Sequence, residues 1–152
     1  MRSTKKGHQG HFGMKLHIGV DSKTSPLHSS TVTASNVHDS QELPKLMHGD
    51  ETRLCGDSAY TRQKAVMRQR SPKARDFTNQ RGFRSRGLTE AQQQTNRRKG
   101  SVRSRIEHPF LWIKRIRGFT IAGYRGLAKN ASRAFVLLAL FNIVQWNRQL
   151  TP

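Results

Sequence analysis

A chain of 152 residues amounts to one domain, and its 28 Lys and Arg against 9 Asp and Glu leave a formal charge of +19. Such an excess repels itself unless a polyanion offsets it, so nucleic acid is the first partner to expect; a ribosomal or membrane-surface protein fits the charge equally well. The lone Cys55 cannot close an internal disulfide, no leader-like segment opens the chain, and the longest apolar stretch, Ala134 to Val144, is broken by Asn142 and short for a bilayer, so a cytoplasmic protein is expected.

In chain order, residues 1–10 are polar and basic and read as a loose opening segment. Phe12 to Asp21 alternates as a strand, with Met14, Leu16, Ile18 and Val20 on one face. Ser22 to Pro26 supplies turn residues, and Leu27 to Ala34 reads as the returning strand of a hairpin. Asp39 or Ser40 caps a predicted short helix to Met47, broken at His48-Gly49-Asp50, and Arg53 to Gly56 is a short strand leading into Asp57. Residues 62–100 read as a basic connection with one helix near Ala65. A helical end over 101–150 follows, first from Ser101 towards Arg117 with Pro109 inside it, then from Asn130 to Gln149. The last helix is apolar over most of its circumference, which predicts burial or a partner. Strands and helices in this order make 1–152 one mixed α/β unit without internal repeats.

Three acids are candidates for chemistry. Asp57 follows a strand, where α/β folds place ligands in a crevice; the simpler reading is that it caps the next turn. Glu107 shares a helical face with Arg103 and Lys114 at about 100° per residue. An acid between two bases suits a metal ion beside gripped phosphates, but Ser104-x-x-Glu107 also matches a capping box. Asp21 reads as a turn residue, Cys55 as a small buried strand residue, and His38-Asp39 lacks the paired spacing of a zinc site.

Thr4-Lys5-Lys6-Gly7, the stretch from Phe12 to Ser22, and Ala34-Ser35-Asn36-Val37-His38-Asp39 resemble the central region of insertion-sequence-five-type DDE transposases. Gly56-Asp57-Ser58-Ala59-Tyr60 is similar to that family's second-aspartate motif, with Ala59 where Gly is usual. Arg103, Glu107 and Lys114 have the spacing of its third motif, although the Tyr that often precedes it is Gly100 here. Gly118-Phe119, the run Tyr124 to Asn130 and the apolar last helix look like its C-terminal part.

The resemblance implies a ribonuclease-H-like mixed sheet with flanking helices, and a DNA transposase that cleaves transposon ends and joins them to target DNA. It implies Asp57 and Glu107 as catalytic metal ligands for a pair of Mg²⁺ ions, and Arg103, Arg105, Lys114 and Arg115 as DNA contacts. In the family the first aspartate lies in an Asp-Ala/Gly-Thr motif upstream of the Lys-Lys-Gly segment, and that motif does not occur here. The expectation is therefore a truncated or split-gene fragment lacking its first strand, inactive alone. It is expected to be partnered by DNA and by an upstream transposase half or further copies of itself, with no membrane. A non-catalytic DNA-binding remnant is the alternative, and a basic structural nucleoprotein the more distant one.

Overall fold

The computed structural model describes residues 2–6, 9–24, 26–82 and 87–150. Strands β1 (Arg2–Lys6), β2 (Gln9–Val20) and β3 (Leu27–Ala34) form an antiparallel sheet in that order. The β2–β3 register runs from Met14↔Ala34 to Ile18↔Ser30, with an irregularity at Gly19/Val20. This is the predicted hairpin, turned by Asp21, whose Oδ1 accepts the Lys23 N–H at 2.6 Å and the Thr24 N–H at 3.1 Å. Within the opening segment, expected to be loose, Arg2–Lys6 is strand β1 and pairs with the start of β2, from Arg2↔Gly13 to Lys6↔Gln9. Backbone pairing, which composition does not reveal, makes that strand.

Helix α1 (Asp39–Leu46) is capped by His38 rather than Asp39 or Ser40, its Nδ1 accepting the Ser40 N–H. Gly49, at φ 103°, lies in the connection that follows, in a conformation glycine tolerates best. Strand β4 (Arg53–Leu54) leads through Asp57 into a 3₁₀ turn (Ser58–Gln63) and α2 (Lys64–Arg70), and β5 (Arg75–Asp76) pairs parallel to β4.

Helix α3 (Glu90–Leu111) starts well before the predicted Ser101, so residues 90–100 belong to a helix and not to an irregular connection. Its start is a capping box: Thr89 Oγ1 accepts from the Gln92 N–H, and Gln92 Oε1 accepts from the Thr89 N–H. Ser104 is thus mid-helix, donating to the Ser101 carbonyl, and Ser104-x-x-Glu107 starts nothing. Beyond the fully buried Pro109 the helix widens into a π turn (Trp112–Ile116).

Helix α4 (Leu127–Leu150) lies on the sheet. One stripe, Asn130, Ala134, Leu138, Phe141 and Gln145, is buried. With Ile18, Trp112, Ile113 and Phe119 its apolar members build the main core, against which Met14, Leu16 and Val20 also pack. The predicted apolar face of β2 is therefore the core face. Much of the rest of α4 is exposed, so of the expected burial or partner the chain itself supplies burial for one stripe. By length and composition alone α4 is apolar enough to cross a bilayer, longer than the stretch the sequence suggested.

Asn142, the polar interruption in that stretch, has a specific task. Its amide oxygen accepts the Leu27 N–H at 2.8 Å and its amide nitrogen donates to the Leu27 carbonyl at 2.8 Å, serving the first residue of β3 as a neighbouring strand does. Asn142→Ala strands both groups and should cost about 1–3 kcal/mol. Urea unfolding of the two proteins measures it, and an unchanged midpoint contradicts the assignment.

Candidate active site

The backbone of β2 decides where the main crevice lies. Ser35 N–H donates to the Gly13 carbonyl at 3.2 Å, so Gly13, Lys15 and His17 direct their backbone groups towards β3. By alternation Met14, Leu16 and Ile18 direct theirs to the opposite edge. Strand β1 reaches only as far as Gly13 on that side, and no other described strand pairs there. This open edge borders a crevice of about 910 Å³.

Leu16 and Ile18 from one face of β2 and His17 from the other both line it, so it opens on the strand's edge. Across it stand β4 and the residues that follow, Cys55, Gly56 and Asp57. Helix α1 and the residue after it wall the His17 side through Leu43, Leu46 and Met47, while α3 walls the Ile18 side through Val102, Ile106 and Phe110. The open edge of β2, strand β4 and helices α1 and α3 thus border one space.

Asp57 lies at the mouth beyond β4 and fulfils both sequence readings. It lines the crevice, and its Oδ1 accepts the Ser58 N–H at 2.6 Å as cap of the 3₁₀ turn. Its carbonyl accepts the Tyr60 N–H, which turns Tyr60 back over Gly56. A Cβ on Gly56 would meet Tyr60 Cδ2 at 3.0 Å, so the Gly before Asp57 leaves room for this ring. Lys15, which the sequence reading did not single out, donates to Asp39 at 3.1 Å and to the Val37 carbonyl at 2.8 Å; Asp39 also lines the crevice. Its place opposite α1 in the outward-facing register of β2 was the available signal.

Glu107 is exposed and lines a different cavity, a shallow groove of about 340 Å³ on α3 shared with Phe110, Leu111 and Lys114. Glu107 and Lys114 do share one face, as their spacing predicts. Asp57 and Glu107 do not share a cavity: the crevice and the groove meet at Phe110, which lines both. Among the described residues no three His, Cys, Asp or Glu side chains group to hold a metal ion. In this arrangement the donors do not fit a divalent-metal centre, because hard cations need several oxygens converging on one point.

Lys114 and Arg115 are exposed on the π turn, and the side chains of Arg103 and Arg105 lie outside the described ones. The Arg117 guanidinium lies over the Trp112 ring at 4.9 Å and that of Arg133 over Phe119 at 5.3 Å, two stacked cations with no motif to announce them.

Burial raises the Cys55 thiol pKa, with Arg53 and Lys99 opposing, so this half-buried cysteine is a poor nucleophile. Also lining the crevice, His28 packs against His48 with ring centroids 4.5 Å apart and the rings tilted by 49°. His48 pairs with Glu51 at 3.0 Å, and Glu51 in turn accepts a short hydrogen bond from the Ser71 hydroxyl. Burial, and then His48, hold His28 below its ordinary 6.5, against Glu51 and Asp21. Burial does the same for His17, which bonds Thr33 at 2.9 Å.

A lowered histidine pKa means that the folded chain binds fewer protons than the unfolded one just below pH 6.5. Stability from these groups is full above that value and is lost as pH falls through it. Glu42 and Glu51 resist burial through hydrogen bonds, which leave both below their ordinary 4.5, so a further loss follows in stronger acid. The urea midpoint should therefore fall from neutral pH to about pH 5, and less so in a His28→Gln variant. A midpoint that rises on acidification contradicts this.

Residues 1–143 match the family model described as transposase DDE domain. No solved structure matches the chain.

Proposed function

The chain belongs to the transposase DDE domain family, and on that premise we propose that it is part of an insertion-sequence-five-type DNA transposase whose ribonuclease-H-like core is incomplete by one strand. The match over residues 1–143 carries the transposase reading. The strand-shaped crevice between β2 and β4 supports the incomplete core. Its natural occupant is an extended segment from the upstream half of a transposase, pairing antiparallel with Met14–Val20 in continuation of the β1–β2 ladder.

In this reading Asp57 and Glu107 are two of the three carboxylates that DNA cleavage and strand transfer require. The family's divalent metal, Mg²⁺ by the hardness of its ligands, is not held by these two as they stand. Arg103, Arg105, Lys114 and Arg115 contact DNA phosphates in this reading. The chain acts in the cytoplasm and by itself is a DNA-binding protein. The remnant reading shares this last property and is favoured by the same separation of Asp57 from Glu107.

Duplex binding tests the proposal. From Arg62 to Arg117 only Asp76, Glu90 and Glu107 offset the many Lys and Arg, so binding should release condensed counterions. Affinity should drop by about 10³–10⁵ between roughly 50 and 200 mM salt, for about 6–10 neutralised phosphates. Replacing Lys114 and Arg115 together by Ala should lower the salt slope by about 2. A flat salt response, or no binding in dilute buffer, overturns the assignment.

A further inference from the structure

From Lys114 to Arg133 the chain carries six Lys and Arg and no Asp or Glu. Within that stretch, residues 117–126 leave the π turn and lead into α4. Gly118 at φ 62° and Gly126 at φ 95° turn the chain at the two ends of this loop. Asn130, fully buried, fixes it from α4: its amide oxygen accepts the Tyr124 N–H at 3.1 Å, and its amide nitrogen donates to the carbonyls of Tyr124 and Gly126, each at 2.6 Å. Phe119 is the loop's buried side chain. The Arg133 guanidinium lies over its ring and also against Gly123, where a Cβ would meet Nη1 at 2.7 Å. A loop held this closely nevertheless leaves apolar side chains outside: Ile121 is 79% exposed and Tyr124 52%. One exposed apolar residue needs no explanation. Two on a loop fixed by a buried amide, in a stretch of cations, form a preorganised surface.

We propose that this loop binds single-stranded DNA, with an unpaired base stacked on the Tyr124 ring. Arg125, Lys129 and the ring-stacked guanidiniums of Arg117 and Arg133 hold the neighbouring phosphates. Charge and shape both argue for that occupant. A stretch with cations and no acid calls for a polyanion, and an exposed phenol calls for one that offers flat apolar faces. Duplex DNA meets only the first demand, because its bases stack on one another and present edges in the grooves. An anionic bilayer has charge but no stacking face, and this loop has no amphipathic helix to lay in it. The inference rests on the DNA reading of the chain and extends it from duplex phosphates to unpaired bases.

Fluorescence anisotropy of the full chain, with a labelled oligothymidylate and with a duplex of equal length, tests it. Tyr124→Ala should weaken oligothymidylate binding by about 5- to 150-fold, the range for loss of one stacked base, and leave duplex affinity and its salt slope unchanged. Tyr124→Phe, which keeps the ring, should bind like the wild type. Tyr124→Trp should also bind, and its added indole fluorescence should be quenched by the oligonucleotide, a signature that a merely structural role for the ring does not give. Unchanged oligothymidylate binding by Tyr124→Ala overturns the proposal. So does an equal loss on single strand and duplex, or an indole that stays unquenched in the bound Tyr124→Trp variant. Binding to phosphatidylserine vesicles that Tyr124→Ala abolishes, with oligothymidylate binding intact, overturns it too. Each of these leaves wild-type duplex binding, and the DNA reading, standing; a wild type that binds neither nucleic acid overturns both.

Discussion

Phe141→Ala is expected to cost about 3–5 kcal/mol, a large part of the stability of a domain this size. The side chain is fully buried and sits where three elements converge. Its ring meets Trp112 edge-on at 5.7 Å and His108 at 5.5 Å, and it closes the main core between the sheet and the π turn. Truncation leaves a cavity that Trp112, itself buried, cannot readily collapse into. Ile143→Ala, two residues further along the same helix but exposed, should change stability by no more than about 0.5 kcal/mol in the monomer. Urea unfolding of dilute protein compares them. Equal effects would mean that α4 is rotated from the orientation described.

The contrast between those two neighbours also marks what could be read from sequence. Alternation of Met14, Leu16, Ile18 and Val20 located β2 and its buried face, because a half-buried strand must repeat every second residue. The apolar circumference of α4 gave no such guidance, since nothing in it distinguishes Leu138 on the core side from Leu140 on the outer side. Strand β1 has no apolar alternation and is held through backbone pairing with β2. The first half of α3 hid for a related reason: from Glu90 to Gly100 its only strongly helix-favouring apolar residue is Ala91, so no period shows, although Thr89 and Gln92 already spelled its cap.

The site was legible in part. Glycine, aspartate and tyrosine at Gly56, Asp57 and Tyr60 identified a strand end and a turn that the structure contains. The spacing of Glu107 and Lys114 identified a shared face. Which way that face looks depends on the rotation of α3, and one residue along a helix is about 100°. Ile106 thus faces the crevice while Glu107 faces the groove next to it.

That offset leads to the second large effect, on DNA cleavage. A phosphoryl-transfer site works by holding charge-stabilising groups in place before reaction, and loss of even one such group typically costs about 10²–10³ in rate. Here Asp57 and Glu107 line separate cavities, and among the described residues no third carboxylate groups with them. The decisive measurement is nicking of DNA carrying the element's terminal sequences by the purified chain, with Mg²⁺ or Mn²⁺ supplied. The account predicts salt-sensitive binding to that DNA and no nicking above background. Nicking that disappears in both the Asp57→Ala and the Glu107→Ala variants would contradict it, and would make another crevice acid, Asp21 first, the missing ligand.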